Sequence, residues 1–168
     1  HVAQSLVRLM APILSFTAEE AWQLLAGSKE RSVFEETWHA LPSSGLDQAV
    51  LDAWDNVRQF RETVAKKIEE KRAAKEIGSS LAAELDIQAH GPIYQALARL
   101  GEDLRFVLIT SRASVQEEKS SGVNIKVKAS QHPKCERCWH YRADVNAAGL
   151  CGRCEGNLGG AGEARRYA

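Results

Sequence analysis

The sequence predicts a mainly α chain with a small α+β part. It reads as a helical-bundle segment with one long spine helix, a small mixed α/β junction unit and a C-terminal four-cysteine module. Three observations predict this. Residues 46–77 contain neither glycine nor proline and carry apolar residues at helical spacing. Two later stretches, 83–89 and 123–128, alternate apolar with polar residues, the period of a half-buried strand. All four cysteines fall in two Cys-x2-Cys pairs, Cys135/Cys138 and Cys151/Cys154, with twelve residues between the pairs. The expected domains are 1–78, 79–130 and 131–168.

Along the chain, Val2, Leu6, Leu9 and Ile13 repeat at three- and four-residue spacing and predict an apolar helical stripe. Pro12 ends or kinks that helix, because it lacks the amide hydrogen a helix interior needs. Thr17-Ala-Glu-Glu20 has the pattern of a capping box, and the helix after it carries Ala21, Trp22, Leu24 and Leu25 up to Gly27. Residues 32–45 read as an extended connector anchored by Val33 and Trp38. The long run that follows, closed by Gly78, places Val50, Trp54, Val57, Val64 and Ile68 on one face, with Arg61 the exception. About thirty helical residues span on the order of 45 Å, long enough for a bundle spine. Leu85 and Ile87 mark the buried side of the strand 83–89. Gly91-Pro92 then turns into a short helix, 93–100. The apolar run 104–109 fits helix or strand equally, 116–122 reads as a polar loop, and 123–128 is the clearest strand.

The cysteine pairs carry the strongest chemical signal. A Cys-x2-Cys turn converges two thiolates on one side, and two such turns complete a tetrahedron. Zn²⁺ accepts four thiolates at about 2.3 Å without directional demands of its own. Disulfides are the competing use, but no export signal accompanies the cysteines, so one structural Zn²⁺ held by Cys135, Cys138, Cys151 and Cys154 is expected. His132 and His140 flank the first pair; with four thiolates available, neither is needed as a ligand.

Composition bounds the rest. The 168 residues are 44% hydrophobic and 26% charged, ordinary for a globular chain, and no apolar run nears the roughly 20 residues that cross a bilayer. No membrane association, a cytoplasmic location and a monomer are expected. Lys+Arg and Asp+Glu are 22 each, and a four-thiolate zinc centre shifts the formal charge to about −2. Nucleic-acid binding would therefore need local patches. One such patch is Lys66, Lys67, Lys71, Arg72 and Lys75 at the end of the long helix, although bases there also complement the helix dipole. Another is Arg137, Trp139 and Arg153 in the cysteine module, where Trp139 either covers the metal site or stacks on an unpaired base. No phosphate loop, nucleophile elbow or local catalytic triad is present. The start at His1, directly in helical periodicity, reads as a piece of a longer protein.

The segment Lys134-Cys-Glu-Arg-Cys-Trp-His-Tyr-Arg-Ala-Asp144, with Leu150-Cys-Gly-Arg-Cys154, Asn157-Leu158 and Gly162-Glu163, resembles the C-terminal zinc module of bacterial isoleucyl-tRNA synthetases. Met10-Ala-Pro-Ile-Leu-Ser-Phe-Thr-Ala-Glu-Glu-Ala-Trp22 is similar to the anticodon-domain segment of the class I synthetases for Ile, Val and Leu. Gly78-Ser-Ser-Leu81 and Leu104-Arg-Phe-Val-Leu-Ile109 resemble the junction region of the Ile enzymes. The resemblance implies an intact ligase that charges tRNA(Ile) with isoleucine using ATP and hydrolyses mischarged valine. The ATP signatures HIGH and KMSKS have no counterpart here, so ATP and isoleucine would be handled by a catalytic domain outside this sequence. This stretch would then supply the anticodon-side contacts to tRNA(Ile) and be inactive alone. The four-cysteine layout is also similar to the zinc finger of formamidopyrimidine-type DNA glycosylases, which implies a lesion-recognition alternative. The long helix and the helix-Pro start are not expected before that finger.

Overall fold

The computed structural model describes residues 1–25, 31–119 and 122–163. The chain divides into two compact units, His1–Leu46 and Asp47–Ala168.

In the first unit α1 (Val2–Met10) and α2 (Ser15–Leu25) pack together with a short 3-10 turn, Val33–Glu35. Val7, Ala11, Ala18, Trp22 and Val33 form its core. The predicted stripe of α1 is turned the other way: Val2, Leu6, Leu9 and Ile13 are all exposed. Both faces of α1 are apolar, and it is the Val7/Ala11 side that meets Trp22. The capping box is also displaced. Helix α2 already begins at Ser15, so Thr17 lies inside it, and the true capping box is Ser32 with Glu35 on the 3-10 turn. Glu19, the middle acid of the misread motif, instead accepts hydrogen bonds from the Ser32 hydroxyl and the Val33 amide, both at 2.8 Å. Val33 anchors the connector as expected, whereas Trp38 is exposed. Gly27, the expected stop of the second helix, lies outside the described residues.

In the second unit α3 (Gln48–Ala73) runs for 26 residues. Its buried stripe is Val57, Phe60, Val64 and Ile68; Phe60 fills the gap that Arg61 left in the sequence pattern, and Trp54 is exposed. The helix ends before Gly78. Lys75 adopts φ 59°, and the Glu76 amide reaches back to the Lys71 carbonyl at 3.0 Å, the bond pattern of a left-handed helix stop. Next come β1 (Ala83–Ala89), α4 (Gly91–Leu100), α5 (Leu104–Leu108), β2 (Arg112–Glu117) and β3 (Asn124–Ala129). The sheet order is β2-β1-β3, with β1 parallel to β2 and antiparallel to β3. Ala83, Leu85, Ile87 and Ala89 point to one face and join the stripe of α3 and Leu97, Leu100, Leu104 and Leu108 in the main core. The opposite face carries Glu84, Asp86 and Gln88. The ambiguous run 104–109 is thus helical, and β2 takes the first two residues of the expected loop; Ser120 and Ser121 of that loop are outside the described residues. Helix α6 (Gly152–Gly159) begins directly after Cys151 and contains Cys154.

Candidate metal centre and nucleic-acid surface

The first cysteine pair sits on a tight knuckle. The Trp139 amide donates to the Cys135 carbonyl at 2.8 Å, and the Cys135 amide donates to the His140 carbonyl at 2.8 Å. The second pair is placed by α6: Cys151 precedes its first residue and Cys154 lies in its first turn. Asp144 fixes that helix start by accepting from the Gly152 amide at 3.1 Å and from Arg142 at 2.9 Å. The Glu136 amide donates to the Gly149 carbonyl, joining the two knuckles.

As a result the four sulfurs lie within 4.8 Å of one another. The Cys138–Cys151 separation is 3.7 Å, close to the roughly 3.8 Å edge of a tetrahedron with bonds of about 2.3 Å. Cys135, Cys151 and Cys154 are fully buried, with Val145 and Leu150 packed around them. The electrostatics prepare the set unequally. Burial opposes ionisation of Cys135, but the amides of Cys138, Cys151 and Arg137 outweigh it and lower the thiol to about 6. Burial pushes Cys138 up to about 12 and raises Cys151 as well. A single thiolate is therefore favoured first; a divalent cation would draw off the remaining protons. Donor number, softness and spacing fit a closed metal site with no position left for water or substrate.

Neither histidine belongs to the cluster. His132 is exposed and lies 3.9 Å from Glu84. The His140 ring donates from Nδ1 to the Cys138 carbonyl at 3.2 Å and meets Phe106 edge-on at 5.6 Å. Burial, reinforced by Arg105, Arg153 and Arg142, lowers its pKa and keeps the ring neutral.

The module is fastened to the α5–β2 corner. The Ser111 hydroxyl accepts from the Tyr141 amide at 2.6 Å and donates to the Leu81 carbonyl at 2.5 Å. Arg105 and Arg153 both lie over the Phe106 ring, at 4.7 and 4.9 Å. The resemblance covered 104–109, but nothing in the sequence tied Phe106 to the cysteine module.

The predicted surface residues fall into two groups. On α3, Lys71 pairs with Glu76 at 2.7 Å and Arg72 with Glu69 at 2.7 Å. Lys66, Lys67 and Lys75 have no ion pair among the described residues. In the module, Arg137 donates to the Cys154 sulfur at 3.8 Å, and Arg153 makes a two-pronged pair with Glu163 at 2.5 and 2.8 Å. Trp139 differs from both. It is 59% exposed, its backbone holds φ at 65°, and the Lys134 ammonium lies 5.5 Å from its ring.

A family model, the anticodon-binding domain of tRNA ligases, matches residues 1–87. The chain belongs to that family. Its similarity to curated relatives extends over its whole length. It is 50% identical over 177 residues to the isoleucine–tRNA ligase of Nitrosomonas europaea, covering 100% of this chain and 19% of that protein. It is 53% identical over 173 residues to the isoleucine–tRNA ligase of Paraburkholderia xenovorans, covering 100% and 18%. The corresponding ligase of Chromobacterium violaceum is 47% identical, with 100% and 19% covered. The chain thus spans about a fifth of the length of the relatives it matches. No described helix is long and apolar enough to cross a membrane.

Proposed function

We propose that this chain is the tRNA(Ile)-binding part of a cytoplasmic isoleucine–tRNA ligase, with its four-cysteine module held by one structural Zn²⁺. The observation that carries the reading is Trp139. A bulky residue in the left-handed region costs on the order of 1–3 kcal/mol, and glycine would remove that cost. Here the strained residue is an indole presented to solvent beside a lysine, outside the cysteine core. That arrangement suits stacking on an unpaired base with a neighbouring phosphate. The similarity to isoleucine–tRNA ligases over the full chain supports tRNA(Ile) as the partner.

Within this reading, Lys66, Lys67 and Lys75 supply phosphate contacts directly. Lys71 and Arg72 exchange a carboxylate for a phosphate when RNA arrives. Arg137 and Arg153 reinforce the module. Phosphate contacts give affinity, while Trp139 and base edges give selectivity. Adenylation and editing belong to the intact ligase, so the chain alone forms no aminoacyl-adenylate and deacylates no mischarged tRNA. It acts as a monomer. No feature of the fold favours DNA-lesion recognition.

The test is competition binding at fixed salt among a tRNA(Ile) transcript, other tRNAs and a lesion-bearing duplex. Preference for tRNA(Ile) supports the reading. Equal affinity for all tRNAs, or preference for the duplex, overturns it.

A further inference from the structure

The first unit contains a cavity of about 410 Å³ that none of the groups above uses. Its floor is apolar, formed by Ala11 and Val33, both almost fully buried. Phe34 and Trp38 line it while remaining 58% and 71% exposed. Its polar wall is the pair Arg8–Glu36, joined at 2.9 Å with only 11% of the Arg8 side chain exposed.

Each part is held from behind. The Arg8 guanidinium lies 4.4 Å over the buried Trp22 ring and donates also to Gln4. Val33 is fixed by the hydrogen bond its amide donates to the Glu19 carboxylate, and Phe34 by the one its amide donates to the Ser32 hydroxyl at 3.2 Å. Glu36 spends one carboxylate oxygen on Arg8; the other accepts no hydrogen bond among the described residues. Two aromatic rings, an apolar floor and one acceptor fixed by a buried cation form a slot for a flat heteroaromatic group bearing N–H donors. Its volume falls within the roughly 300–1,000 Å³ of small-ligand pockets. Arg8 offsets the repulsion that Glu36 alone would exert on a phosphate chain.

We propose that this cavity binds an unpaired RNA base carrying an exocyclic amine, stacked against Phe34 or Trp38 and donating to the free oxygen of Glu36. Unpaired bases are recognised through aromatic stacking and edge hydrogen bonds, and a carboxylate accepts from an amino group. The proposal rests on the RNA-binding reading above and adds to it a second base-binding point, in the other compact unit from Trp139.

The experiment uses the whole chain loaded with Zn²⁺ and compares wild type, Phe34→Ala, Trp38→Ala and Glu36→Gln. Probes are the tRNA(Ile) transcript and nine-residue oligonucleotides of A, C or U; ultraviolet crosslinking with peptide mapping gives a direct readout. Both rim residues are exposed, so their variants should keep the wild-type melting curve. The expected result is a loss of affinity of roughly fivefold or more in at least one rim variant. Wild type should also favour oligo(A) and oligo(C) over oligo(U), Glu36→Gln should narrow that preference, and a nucleotide adduct should map to 33–38. Wild-type binding that persists unchanged in both rim variants, without an adduct, overturns the cavity while leaving the broader reading standing. A wild-type chain that binds no RNA overturns both. A rim variant that abolishes self-association of the chain while RNA affinity stays constant shows a protein-packing surface, and overturns the cavity proposal.

Discussion

At the scale of single residues, Trp139 separates strain from function. In Trp139→Gly the left-handed backbone is relaxed, so the metal-loaded module should melt no earlier, and gain up to roughly 1 kcal/mol. Zinc content should stay at one per chain, while affinity for tRNA(Ile) falls roughly fivefold or more. Calorimetry, elemental analysis and a binding titration on one preparation check all three. Earlier melting with lost zinc would make Trp139 a packing residue. Asp86 gives a pH-dependent case. The hydrogen bond from Lys128, helped by Ser114 and Arg112, holds its carboxyl below its ordinary 3.8. A lowered carboxylate pKa favours the fold above the unfolded value and ceases to do so as pH falls through the folded one. Asp86→Asn should therefore cost stability near neutral pH, at most about 1 kcal/mol for a group this open, and the difference from wild type should start to shrink as pH falls below about 4. Denaturant melts at pH 7 and pH 3 check it.

At the scale of elements, the ends of helices and the edges of sheets were hardest to read. β1 was legible because one of its faces is wholly buried, and β3 because Ile125, buried, and Val127, half-buried, alternate with exposed polar residues. β2 was not, because its inward residues Ala113 and Val115 are only half-buried and are flanked by polar residues on an edge strand. α3 was legible in its middle but not at its end, since a lysine stands where a helix stop ordinarily has glycine. The same residue allows a test: Lys75→Gly should stabilise the stop by roughly 0.5–1 kcal/mol, measured by chemical denaturation. α1 misled for a different reason. Both of its faces are apolar, and periodicity alone does not choose which one α2 covers. The basic end of α3 carries its own prediction. Lys66→Gln with Lys67→Gln removes two cations that have no ion pair among the described residues. It should weaken binding to every tRNA alike and flatten the salt dependence by roughly 0.7 to 0.9 log units per contact. Unchanged slope would make this end a solvated helix terminus.

At the scale of the whole molecule, the cysteine cluster was legible to the residue, because ligand spacing is local chemistry. The docking of its module was not: it depends on Ser111, Phe106 and Arg105, residues with no fixed distance in sequence from the cysteines. The main core of α3, α4, α5 and the sheet has its own apolar set, so metal removal should loosen residues 134–163 and the α5–β2 corner while leaving α3 helical. Hydrogen exchange before and after chelation checks this; global loss of protection would make the metal the keystone of the second unit. Because bound thiolates must shed their protons, metal affinity should rise with pH.

The central claim is that the metal-held module forms part of the surface that reads tRNA. Its most direct test is the affinity of one preparation for tRNA(Ile) in three states: native, stripped by a strong chelator, and restored with Zn²⁺. The account predicts at least a tenfold loss on stripping, recovery on restoration, and a smaller change for non-cognate tRNA. Affinity for tRNA(Ile) that is the same in all three states would contradict it.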